Sequence, residues 1–120
     1  MHAFRYAAML LLLTGTATAG SAPQRNAQGL LVSDRGYTLY SYDPDGATNV
    51  SRCNDACAAV WPPYCVDKGI VATGDYNRTT RADGTSQWAY RGRPLYLFAG
   101  DGKRGDRDGD GVNGSWHVVH

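Results

Sequence analysis

The segments "TLYSYDPD", Thr38 to Asp45, and "PLYLFAGD", Pro94 to Asp101, carry one pattern, Y-x-[YF]-x-x-D. Superposing Gly36 on Gly92 extends the match without a gap, so that Leu39 falls on Leu95, Tyr40 on Tyr96, Tyr42 on Phe98 and Asp45 on Asp101. The chain is therefore an internal duplication, with units at about residues 30–65 and 86–120. Neighbouring strand residues face opposite ways, which puts Tyr40 and Tyr42 on one face, Tyr96 and Phe98 on the equivalent face, and Leu39 and Leu95 on the other. Paired aromatic strands packed into one core are expected. Asp45 and Asp101 would organise the turn that follows each strand, and Trp61 and Trp116 belong to the same structural set.

Each unit opens as a hairpin. Two β-prone runs, Leu30 to Ser33 and Tyr37 to Asp43, flank Asp34-Arg35-Gly36, and "QWAY" and "RPLYLF" flank Arg91-Gly92. Pro94 stands at the start of its strand, where a missing N–H is tolerated. Two further strands are expected around Asp83-Gly84, and "GSWHVVH" reads as a closing strand with Trp116 and Val118 on one side. All 11 acidic residues are aspartate, and with 15 glycines this favours strands and tight turns over helix. The expected fold is mainly β, a small antiparallel sheet, sandwich or partly closed barrel of about six strands, with one short helix in the cysteine segment.

The N-terminus, "MHAFRYAAMLLLLTGTATAG", joins a cationic start to an apolar run too short to span the roughly 30 Å core of a bilayer. It reads as a signal peptide over residues 1–19, cut after Ala17-Thr18-Ala19 or, alternatively, near Ser21-Ala22. A polar lead, residues 20–29, and a single β-rich domain, residues 30–120, follow. No cysteine precedes Cys53, so the acylated cysteine of a lipoprotein is absent. Loss of Arg5 with the signal balances the charges, which gives no support to a nucleic-acid or anionic-membrane partner.

In "SRCNDACAAVWPPYC" a helix capped by Ser51 or Asn54 would end where Pro62 forces Trp61 out of helical geometry. The spacing of Cys53 and Cys57 then becomes informative. Four residues on a strand separate Cα atoms by about 13 Å, whereas one helical turn brings them to about 6 Å, within disulfide range. A Cys53–Cys57 disulfide is the expectation, leaving Cys65 as a free thiol, an alternative partner for either cysteine, or the link of a disulfide-bonded dimer. The competing reading is a metal or redox site, with Cys53, Cys57, Cys65 and His117 holding copper or zinc.

"DRDGDG", Asp106 to Gly111, opens like a calcium loop, with Asp106, Asp108 and Asp110 as ligands. The carboxylate required at position twelve is replaced by His117, which leaves a weak calcium site set against a solvated turn. No G-x-S-x-G or other nucleophile signature is present, and most aspartates sit beside Gly or Pro as turn residues. Three N-x-[ST] sequons, at Asn49, Asn77 and Asn113, carry no assigned role.

The doubled motif, with "CNDACAAVWPP", "DGTSQWAYRGRPLYLF" and "GDGVNGSWHVV" in order, resembles a bacterial secreted-repeat family of predicted lipoproteins named for Y-x-[FWY]-x-x-D. The match runs from about Leu31 to Val118. The resemblance implies an exported envelope protein and brings no defined biochemical activity to transfer. The chain departs from lipoprotein members in lacking the acylated cysteine and in carrying Cys65 after "WPP". The sequence reading is thus an exported, periplasmic or extracellular protein of non-enzymatic structural or binding role, with no cofactor and an unidentified envelope partner or small ligand. The alternative is a periplasmic copper, zinc or thiol-redox protein.

Overall fold

The computed structural model describes residues 19–120; the expected signal peptide, up to residue 18, lies outside them. Nine short strands are present among the described residues: β1 (Ala19–Gly20), β2 (Gln24–Arg25), β3 (Leu31–Val32), β4 (Tyr40–Tyr42), β5 (Cys65–Val66), β6 (Tyr76–Thr80), β7 (Ser86–Tyr90), β8 (Arg93–Pro94) and β9 (Trp116–Val118). One α-helix, α1 (Ala56–Val60), interrupts them. The fold is mainly β, made of small sheets, and does not close into a barrel.

The largest sheet is centred on β7. One edge of β7 pairs along its length with β6 in an antiparallel hairpin whose turn holds Gly84 at φ 87°, the left-handed region a side chain resists. The other edge is shared by β5, opposite Gln87, and β8, opposite Ala89 and Tyr90. β1 adds in parallel to β5, so the polar lead is folded onto the domain. Its Gly20 carbonyl accepts the Trp88 indole N–H at 3.0 Å. Two separate ribbons, β2–β3 and β4–β9, are both antiparallel.

The alternation read from the sequence sorts side chains into two cores. Tyr40, Trp61, Tyr96 and Trp116 pack with Leu30 and Cys53 in one cluster, whereas Leu39, Leu95, Leu31, Tyr64 and Trp88 form the other. Tyr40 and Leu39 are adjacent in sequence, both fully buried, and on opposite sides of the backbone. Burying a side chain of this size stabilises by roughly 1.5–3 kcal/mol, which is how a domain with such short strands holds its shape.

The cysteine segment coils as expected, but neither expected cap makes the cap. Asp55 occupies the cap position at φ 53° with no side-chain bond to the helix. The Ser51 and Asn54 side chains are instead taken by Arg81, whose guanidinium donates to Ser51 Oγ at 2.7 Å and to Asn54 Oδ1 at 3.0 Å. A charged donor outcompetes the backbone N–H groups of a five-residue helix. Trp61 ends the helix at φ −121°, ψ 77°, outside helical geometry, ahead of Pro62. Cys53 and Cys57 are joined as a disulfide, with Cα atoms 5.2 Å apart.

Candidate functional site

The two units meet where their motifs cross. Tyr40 and Tyr96 stand opposite each other as an antiparallel pair, exchanging backbone hydrogen bonds of 2.8 and 2.9 Å. Each phenol then reaches the aspartate of the other unit. Tyr40 donates to Asp101 Oδ2 at 2.5 Å, and Tyr96 donates to Asp45 Oδ2 at 2.6 Å. The second oxygen of each carboxylate closes a loop, because Asp45 Oδ1 accepts the Arg52 N–H and Asp101 Oδ1 accepts the Asp108 N–H. Arg52 and Asp108 are themselves equivalent in the superposition that places Gly36 on Gly92. The arrangement is a reciprocal clasp with approximate two-fold character.

Between the clasps four rings lie one on the next, in the order Phe98, Trp61, Trp116, Tyr42. Their centroids are 4.4, 3.8 and 4.2 Å apart, and the two indoles are within 1° of parallel. Tyr40 meets Trp61 edge-on at 5.3 Å, and Tyr96 meets Trp116 edge-on at 5.2 Å. Trp116 takes the place of Trp61 in its unit, one residue out of the gapless superposition. Offset-stacked and edge-to-face pairs each add about 0.5–1.5 kcal/mol beyond burial.

Burial raises the pKa of both phenols, reinforced in each by the hydrogen bond to its aspartate; Tyr96 is pushed up to about 12. Burial also pushes Asp45 and Asp101 above the usual carboxylate range, opposed by the phenol bonds that favour their charged forms. Ser51 links Tyr96 to Arg81: its oxygen lies 2.6 Å from the phenol and accepts from the guanidinium. The Asp45 clasp is thus sealed within a polar network that includes a buried arginine.

At Asp101 the equivalence breaks. In the second unit the turn at Gly92 closes on the loop after Asp45, with Asn49 N–H donating to the Gly92 carbonyl at 2.8 Å. A Cβ at Gly92 would stand 2.7 Å from the Ala47 carbonyl oxygen. The corresponding turn of the first unit is met by the Arg104 side chain, 3.2 Å from a Cβ at Gly36, rather than by backbone, and borders a cavity of about 280 Å³ walled by Asp34, Arg35, Tyr37, Thr38, Phe98 and Asp101. Thr38, where the second unit has Pro94, is 1 % exposed and its Oγ1 has no hydrogen-bond partner. A buried hydroxyl without a partner is costly unless something supplies one. A ring wall, two aspartates and an arginine therefore border a space open to a small polar molecule.

The remaining sequence candidates are dispersed. His117 Nε2 lies 2.9 Å from Asp43 Oδ2 on the surface. Asp106 Oδ2 accepts the Lys103 N–H, Asp110 Oδ1 accepts the Val118 N–H, and Asp108 uses its backbone on Asp101. Among the described residues no group of three or more His, Cys or Asp side chains converges as a metal site. Cys65 lies half-buried in β5, its Sγ 3.7 Å from the Pro63 carbonyl oxygen. Sequence reasoning gave no role to Thr38 or Arg81, and read Ser51 only as a helix cap. The signal that could have found Thr38 is its mismatch with Pro94 inside an otherwise matched segment; Arg81 lies outside both motif segments and had no such signal.

A family model described as a secreted repeat of unknown function matches the chain twice, over residues 25–64 and 77–120. No curated protein and no solved structure matches it.

Proposed function

The chain belongs to that family of secreted repeats, and on this premise we propose a non-enzymatic binding protein of the bacterial cell envelope, periplasmic or extracellular, whose duplicated clasp is scaffold and whose cavity beside Asp101 is the seat of a small polar ligand. One observation carries the reading: the two units are equivalent through Tyr40, Tyr96 and both aspartates, yet the Asp45 clasp is sealed while the Asp101 clasp borders a cavity of about 280 Å³ lined by Asp34, Arg35 and Thr38.

Titration of labelled protein with a panel of monosaccharides, amino acids and small amines, followed by backbone amide shifts, tests this. Saturable shifts confined to residues 33–38 and 97–101, weakened in Arg35→Ala, are expected. A panel that moves none of these amides, or purified protein carrying stoichiometric copper or zinc with three reactive thiols, overturns it.

A further inference from the structure

The four-ring stack has a chemistry that packing does not require. Two indoles 3.8 Å apart and parallel share the charge left when one electron is removed, which makes the pair easier to oxidise than an isolated indole. Each indole touches, edge-on, a tyrosine whose phenol already donates to a carboxylate. The ends of the stack, Tyr42 and Phe98, are half-buried and bring it to the surface. Phenylalanine at positions 40 and 96 would fill the same space. The hydroxyls, and the carboxylates that receive them, are what an electron relay needs.

We propose that the stack is a one-electron relay ending on the two Tyr–Asp pairs. A one-electron oxidant, such as a small radical reaching the surface, takes an electron from the Trp61–Trp116 pair and is itself reduced. The indole cation then takes an electron from Tyr40 or Tyr96. In that step the phenol O–H bond breaks and its proton forms a new O–H bond on Asp101 or Asp45. The indole returns to its starting state, leaving a neutral tyrosyl radical beside a neutral carboxyl group. No charge is stranded in the core, which is what makes the transfer favourable in a low-dielectric site. The raised proton affinity of both carboxylates works in the same direction. The two halves of the clasp give two end points, Tyr40–Asp101 and Tyr96–Asp45.

Flash photo-oxidation of the full protein by a ruthenium polypyridyl sensitiser, following indole and phenoxyl radical absorption, decides the matter. The indole radical should decay as the tyrosyl radical rises, and the conversion should slow in deuterium oxide. Tyr40→Phe/Tyr96→Phe should leave a long-lived indole radical, and Tyr42→Phe should leave the conversion intact. Tyrosyl formation that survives the double variant, or is lost in Tyr42→Phe, overturns the proposal. Should the double variant fail to fold, the wild-type protein answers alone: absence of a tyrosyl radical, or a conversion unaffected by deuterium, overturns it equally.

Discussion

The Tyr40 phenol donates to Asp101, 61 residues away, and not to Asp45, which closes its own motif. Tyrosine and aspartate within one Y-x-[YF]-x-x-D copy are therefore not partners; each is completed by the other copy. Because one clasp is sealed and the other borders a cavity, the two should respond differently to the same change.

Tyr96→Phe leaves the buried Asp45 carboxylate and the Ser51 hydroxyl without the phenol between them. Removing one partner of a buried, charge-assisted bond costs about 1.5–3 kcal/mol. At the acid Tyr40→Phe should cost less, because Asp101 is half-exposed and water can replace that bond, while the Gly109 N–H, 3.2 Å from the phenol, loses its acceptor as well. Tyr96→Ala, which also empties the ring position, should cost about 3 kcal/mol or more. Urea melts of the three variants check this order.

The pH dependence follows from the raised pKa of Asp45 and Asp101. A carboxyl whose folded pKa lies above its unfolded value near 3.8 holds its proton more tightly in the native state. Its contribution is then greatest below the unfolded value and is lost as pH rises through the folded one. Asp83 acts in the opposite sense, since hydrogen bonds from Thr85 lower its pKa. Asp45→Asn should therefore flatten the fall in stability above about pH 3.8 relative to wild type, measured as the difference between two melting-temperature profiles.

Reducing the Cys53–Cys57 disulfide, or replacing both residues by serine, should lower stability by roughly 2 kcal/mol, as expected for so short a loop. The Cys53 carbonyl also accepts a hydrogen bond from Arg81 at 2.9 Å. Loosening this segment should therefore raise hydrogen exchange at Ser51 to Asn54 as well as within α1.

Gly109→Ala tests the packing of the stack. A Cβ there would stand 2.7 Å from Trp61 and 3.0 Å from Tyr40, both ring atoms held on their far sides. Overpacking of this kind costs about 1–3 kcal/mol. Gly29→Ala, with no atom within 4 Å, meets only the strain of its left-handed backbone at φ 79°. Near-ultraviolet circular dichroism should change in the first variant and stay unaltered in the second.

Features that depend on local geometry were legible in the sequence. The opposed faces of Leu39 and Tyr40, the helical spacing of Cys53 and Cys57, and the end of the helix at Trp61-Pro62 all follow from a few neighbouring residues. What escaped was long-range pairing. Nothing near Ser51 announces that Arg81 will claim it, so the expected cap failed. Strands were read as longer than they are, because beyond Pro94 the second motif bonds through isolated contacts, Leu97 to the Pro62 carbonyl and Ala99 to that of Val60. The aspartates of "DRDGDG" looked like a shared ligand set, yet two of their side chains and the Asp108 amide are engaged separately. The cavity beside Asp101 was out of reach because it arises where the units differ, and alignment directs attention to where they agree.

The crossed pairing has a consequence for any chain holding a single copy of the motif. Its tyrosine would face no acid and its acid no phenol, leaving a half-made lock. Such a chain would be completed by a second molecule of its own kind, so a one-copy relative should form a symmetric pair. Joining two copies in tandem turns that meeting between molecules into an internal one, and frees one of the two to change.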